Sequence, residues 1–550
     1  MKKIIHGLLG AMLLVSSAGA ADKSNRSFLT ARDSIGDNAL MNASVSAANC
    51  NKKGMIGADV SVTGYYRRSH NTAEVGKYFG AGNGTGTTAP AGKIIVTGDT
   101  KNLSVADTHV FGAAIERVPT TMPQAGGDSN HAMGGTVTFA PVREEYGAHL
   151  AWNQDMGRIM DGLSFSVSAP VVGVRSHMNM KIEESVASAA DNAVGGRGKD
   201  LKDFMSGLSL GKIVSVGAGQ QELTHAKVAW QKVQDTKFAI ADVRASLGWQ
   251  FLKEADYNVS ASANVVVPTG TTPTGEFLCE PVAGNGKHFG LGASLNSVFN
   301  LWRSDDKKSC LDFNAGVDYT YFFRAGQRRV LNVWDHVNSR LVDAGIYRAT
   351  IRHGASTSKP AANELVTDVT VTPGSQVDAN AGVAYLWNQW SFDASYNLHY
   401  REEETVKMKN PLGWTNNRLG YVGYRFKTTG TSAVVGKSAT AVESGFAADS
   451  AWNAGQHTIG GPIQRDGVTT GTQSDTAGSP LTAPNEARYH ISTKGCTTPS
   501  QLTHKVGGSF GYQFNTAKPV RVGMGGEYEV GSNNDSVASW AIWAKVGFCF

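Results

Sequence analysis

The chain has 550 residues, with 51 Lys and Arg against 46 Asp and Glu and a formal charge of +5, too near neutrality to point to a nucleic-acid partner. Only 18% of residues are charged, while glycine reaches 64, tyrosine 16 and tryptophan 11; a chain polar on average yet aromatic in detail suits a β-barrel between lipid and water. Five cysteines, at 50, 279, 310, 496 and 549, are too few and odd in number for a disulfide scaffold.

Met1, Lys2 and Lys3 precede an apolar run from Leu8 to Val15 and an Ala18-Gly19-Ala20 site. This pattern reads as a secretory signal over residues 1–20. Its apolar core is too short for a transmembrane helix, which needs about 20 residues. Residues 21–54 are polar and small, and are expected to form a periplasmic segment or a lumen plug. The barrel is expected over 55–550.

From there the sequence alternates with period two. The first strand runs from Ile56 to Tyr66, the second from Glu145 to Asn153 and the third from Leu163 to Val171. The fourth begins at Ala239, with Ala239, Ala241, Val243 and Ala245 outward and Asp242, Arg244 and Ser246 inward. Tyr257 to Val267, Phe289 to Leu301 and Leu311 to Phe323 follow, then Val377 to Trp387 and Trp390 to Tyr400 about a two-residue turn. Leu502 to Phe514, Val520 to Val530 and Trp540 to Phe550 complete twelve. Turns after even strands are short and loops after odd strands long, the sidedness of an outer-membrane barrel. Lys93 to Val96 and Leu419 to Phe426 are candidates for further strands.

The last strand, WAIWAKVGFCF, places Ile542, Ala544, Val546, Phe548 and Phe550 on one face. It resembles the terminal strand of Gram-negative outer-membrane β-barrels. The resemblance implies an all-β, transmembrane antiparallel barrel in the outer membrane, with lipopolysaccharide as neighbour, the barrel assembly machinery as partner and the first strand as its pairing edge. Val265-Val266-Val267-Pro268-Thr269-Gly270 also resembles the FadL-like transporters of hydrophobic compounds, although their Asn-Pro-Ala hatch element is absent.

Inward positions carry Asp59, Asp242, Arg244, Asp312, Asp318, Asp378, Asp393, Arg401, Lys505, Arg521, Glu527 and Glu529, the expected lumen lining. Acidic and basic members nearly balance. Four carboxylates on strands seven to nine predict a weak cation preference; the alternative is a charge network that fills the lumen. Arg328 to Leu341 and Leu201 to Leu208 carry apolar residues at spacings of three and four, and are expected to be short amphipathic helices. The first would constrict the pore or cap the loops outside. No HExxH or CxxC spacing occurs, and neither a cofactor, a metal nor an enzymatic activity is expected. Sidedness pairs Cys50 with Cys549 across the closure and Cys279 with Cys496 outside. The expected function is a passive pore for small solutes; an adhesin or structural barrel acting through its loops is the alternative.

Overall fold

The computed structural model describes residues 26–31, 57–79, 93–96, 135–184 and 223–228, most of 234–410, four short strands between 419 and 460, and most of 489–549. The signal region and the stretch Leu201 to Leu208 lie outside the described residues.

Twelve long strands close into one barrel. The first six are β1 (Ala58–Ser69), β2 (Val142–Asp155), β3 (Leu163–His177), β4 (Val243–Lys253), β5 (Tyr257–Val267) and β6 (Gly290–Arg303). The second six are β7 (Ser309–Phe322), β8 (Gly374–Trp387), β9 (Trp390–Arg401), β10 (Gln501–Phe514), β11 (Val520–Asn533) and β12 (Ser539–Cys549). Each pairs antiparallel with its sequence neighbours, and β12 returns to β1 in a register running from Asp59 with Cys549 to Ser69 with Ser539. Every wall strand thus has both edges paired, as backbone amides in lipid require.

Side chains follow the alternation. Leu247, Trp249, Leu295, Phe392, Met524 and Ile542 are exposed on the outside, an apolar surface that only a membrane covers. Tyr and Trp crowd the strand ends, as where Tyr66 lies 5.6 Å from Trp540 and Trp390 lies 4.9 Å from Tyr512. These are the interfacial belts of an outer-membrane barrel. At the periplasmic end β8 turns directly into β9 through Asn388 and Gln389; Asn388 takes a φ of 54°, which asparagine tolerates better than most residues.

The fourth strand departs from the expected register. β3 and β4 pair from Leu163 with Trp249 to Ser168 with Arg244, and pairing resumes at Val171 with Ile240. Between these, two residues of β3 face three of the other chain, which is a bulge. Pro170 sits opposite it and has no N–H to give, so the partner strand can gain a residue there. In consequence Ile240 points outward, whereas Ala241 and Asp242 are both fully buried inside. Ala239 and Ala241 are therefore not lipid-facing, contrary to the sequence expectation.

Outside the membrane the long loops fold together. Residues 26–31 join the loops after β1, β3, β5, β7 and β9 in a crown with its own apolar core, which includes Phe28, Tyr78, Phe139, Met178, Leu331 and Tyr347. Fully burying one large apolar side chain is worth about 1.5–3 kcal/mol, so a core of this size holds the loops in place. Lys93–Val96 and Leu419–Tyr421 are strands of this crown, not of the barrel wall. The expected helix at Arg328 to Leu341 is also strand, Ala325–Val330 and Asn332–Asp335. Gln327, Arg329 and Leu331 are buried there at every second position, and the segment pairs with Val366–Thr372, itself rich in Val and Thr, and with Tyr489–Ser492. Among the described residues no helix is long and apolar enough to cross a membrane.

Candidate functional site: the barrel interior and its cap

Period two aims alternate residues of all twelve strands into the lumen, and their chemistry divides the interior. From β9 through β12 to β2 the outer half is packed with compensated charge. Lys505 Nζ lies 3.1 Å from Glu527, Arg67 reaches the same carboxylate at 3.4 Å and Glu145 at 3.7 Å, and Tyr65 donates to Glu145 at 2.6 Å. Glu529 accepts from Thr503 at 2.6 Å and Ser539 at 3.1 Å, while at the periplasmic end Arg521 meets Asp59 at 2.9 Å. All these groups are buried. A buried charge is tolerable only when paired and hydrogen-bonded, and here each carboxylate has its donors.

The remaining wall is milder and more open. Inward residues of β4 to β7, among them Ser246, Ser262, Ser294 and Asn314, are half-buried, and Asn296 is exposed inside the barrel. Arg244 forms an ion pair with Asp318, which also accepts from Ser294 at 2.8 Å and Asn264 at 3.1 Å. Asp378 pairs with His399 at 3.1 Å. Nearer the periplasm, Asp312 accepts from Asn300 at 2.7 Å and Asp393 from Ser509 at 3.0 Å. These two carboxylates flank Ala384 at one level of the wall.

Asp242 has another task. Its carboxylate accepts the backbone N–H of Gly270 at 3.2 Å and of Asn285 at 2.6 Å, pinning the β5–β6 loop to the bulge. Arg143 holds the same loop through Val282 O at 2.9 Å. Ala283 of that loop enters an apolar knot inside the barrel with Tyr65, Val172, Val174, Ala241 and Trp543. Trp543 needs a glycine beneath it: a Cβ on Gly525 would stand 2.5 Å from its ring. The residue that interrupts the polarity of the terminal strand is thus a lumen side chain.

Above the lumen, Glu404 binds the cap together. It accepts from Arg329 at 2.7 Å, Arg401 at 2.8 Å, Thr498 N at 3.2 Å and Thr30 at 2.9 Å. Burial alone would raise its carboxyl, but the guanidinium groups of Arg329 and Arg401 outweigh that and hold it at about 2. Arg401 therefore serves the base of the cap rather than the pore wall. The Arg329 guanidinium also covers the Phe28 ring at 3.8 Å. Residues 26–31 are bound along their length: Arg26 donates to Thr497 O and to Lys494 O at 3.1 Å, Ser27 N to Gly495 O at 2.7 Å, and Gln501 to Thr30 O at 3.2 Å. Arg67 and Glu404 escaped the sequence reading, which expected the N-terminal stretch only as a periplasmic segment or a lumen plug. Carrying the inward alternation of β1 one step past Tyr65 finds Arg67; nothing local marks Glu404.

Cys549 is disulfide-bonded, and its sulfur accepts from Arg521 at 2.9 Å. Cys50 lies outside the described residues. Cys279, Cys310 and Cys496 are free, so the expected bridge between Cys279 and Cys496 does not form. Cys496 turns into its own short helix, donating to Thr493 O at 3.3 Å.

No protein-family model matches the chain, and no curated protein does. Among solved structures it is similar to an outer-membrane channel of Pseudomonas putida F1, with 9% identity, a TM-score of 0.33, and coverage of 92% of this chain and 100% of that one. It is also similar to the Pseudomonas putida toluene transporter TodX (8%, 0.30, 96% of each chain) and to a Pseudomonas aeruginosa FadL homologue (10%, 0.26, 90% and 89%).

Proposed function

We propose that this outer-membrane barrel is a channel for passive passage of small polar solutes, not an enzyme, and that the crown closes it in the state described. The observation that carries the reading is the inner wall of β4 to β7. Its hydroxyl and amide side chains remain accessible inside the barrel, most of all Asn296, which is exposed there, where a purely structural barrel would be filled. Residues 21–54 then act as a plug in the lumen: Ala31 lines a small cavity with the inward residues Arg67, Glu145 and Glu529 at the outer end, while Gly57 enters β1 at the periplasmic end. Lipopolysaccharide surrounds the outer belt in this reading, and β12 is the strand taken up by the assembly machinery. Planar-bilayer recording of refolded protein tests it: discrete conductance steps are expected, and they increase when residues 21–31 are deleted. A barrel silent in both forms would refute the channel. The second reading, a surface interaction protein, is favoured by one feature, the extensive apolar core of the crown.

A further inference from the structure

A cavity of about 520 Å³ opens in the outer surface of the crown, within the size range of small-molecule sites. Its floor is the three-stranded sheet of Ala325–Val330, Val366–Thr372 and Thr405–Met408. Arg328 stands opposite Asp368 in that sheet, and the Asp368 carbonyl accepts Lys409 N at 3.1 Å. Two exposed cations thus bracket one carboxylate, their backbones roughly 10 Å apart across two strand spacings. Gly326 keeps the lysine in place, since a Cβ there would lie 2.6 Å from Lys409 Nζ.

The walls come from two other loops. Thr272 presents a hydroxyl, while that of Thr274 donates to Glu280 at 2.5 Å, and Glu276 on the same rim is offset by Lys227 at 2.6 Å. On the floor Arg328 and Lys409 outnumber Asp368, while the rim carboxylates Glu276 and Glu280 are already engaged, by Lys227 and by Thr274 with Gly275 N. His225 adds no charge at neutral pH, because burial and then the charge of Arg328 lower its pKa. Its ring instead contacts Thr224 Oγ1 at 2.9 Å. Beneath, the buried Gln327 amide donates to Gly286 O at 2.8 Å and meets His288 at 3.0 Å, so the floor is fixed to the outer rim of the barrel.

We infer that this cavity binds a small hydroxylated monoanion, a sugar acid, through Arg328 and Lys409, with Thr272 meeting one of its hydroxyls. Charge-assisted hydrogen bonds to a carboxylate are the strong contacts available here, and Asp368 discourages dianions and keeps the two cations apart.

The test uses refolded full-length protein in detergent and equilibrium dialysis of labelled glucuronate, glucose and glucosamine. Saturable glucuronate binding is expected, with the neutral and cationic sugars at least about tenfold weaker, a difference of about one ion pair. The Arg328→Gln/Lys409→Gln double variant should lose about tenfold in affinity, Gly326→Ala should weaken binding by displacing the ammonium, and Asp368→Asn should tighten it. Absence of saturable binding, equal binding of glucose, or an unchanged double variant would overturn the inference. Heat-modifiable migration on gels confirms that each variant is folded, and conductance is irrelevant to the result.

Discussion

Replacing Glu404 with Gln removes from the base of the cap the carboxylate that Arg329 and Arg401, 1% and 3% exposed, both meet. The magnitude can be worked in two ways. Breaking a buried pair by removing one partner costs about 3–5 kcal/mol. Independently, a carboxyl held at about 2 against an ordinary 4.5 is worth roughly 3 kcal/mol at about 1.36 kcal/mol per pH unit. The assay is the alkylation of Cys496, which is fully buried beside this cluster and whose thiol burial pushes up to about 12. A loss of roughly 3 kcal/mol raises the population of the locally open cap about a hundredfold, and Cys496 labelling should accelerate accordingly while the barrel still resists heat. The pH dependence has a fixed direction. Because the folded pKa lies below the unfolded one, the stabilisation is complete above the ordinary carboxylate range and is lost as pH falls from about 4.5 toward 2. Wild-type labelling at fixed thiolate fraction should therefore rise across that window and the Glu404→Gln rate should not. If the variant protects Cys496 as well as the native chain does, the cluster does not hold the cap.

Three further outcomes are expected. Ala245→Arg places a charge on the lipid face and should cost about 2–4 kcal/mol near the midplane, impairing assembly more than Ser246→Arg on the lumen side; equal assembly yields of the two on heat-modifiability gels would show the register to be wrong. In bilayer recordings the native channel should prefer cations weakly, and Asp312→Asn with Asp393→Asn should abolish the preference; a reversal potential indicating anion selectivity in the native protein counts against it. Non-reducing peptide mapping should recover Cys50 linked to Cys549, and recovery of Cys50 as an alkylated free thiol ends that assignment.

The wall was legible because a membrane barrel repeats one constraint twelve times: every second residue must satisfy lipid. Tyr257 to Val267 coincides with β5, and most other strands extend the expected limits by a few residues. Ala239 and Ala241 depart from the alternation because a bulge inserts one residue, and every position beyond it changes face. At Arg328 to Leu341 the apolar spacings of three and four also contain steps of two, and the partner strands that decide between helix and sheet lie far away in sequence. Among the site residues, inward carboxylates could be named from parity alone, yet their partners could not. That Asp318 meets Arg244, Asp378 meets His399, and Asp242 pins a loop are consequences of cross-strand register. The hexapeptide at residues 26–31 carries no period, since its contacts are with backbone carbonyls of a loop remote in the chain.

The hydrogen bonds from Arg26 to the segment around Lys494 span 468 positions in sequence. Contacts that remote form late, after nearer ones have closed the intervening loops. The N-terminal anchor of the crown is therefore expected to dock after the nearer contacts of the wall and loops have formed. A stalled barrel would keep Phe28, Phe79 and Phe139 uncovered and open to proteases, so the cap acts as a receipt for completed assembly. In refolding time courses, protection of Cys496 should lag behind heat resistance.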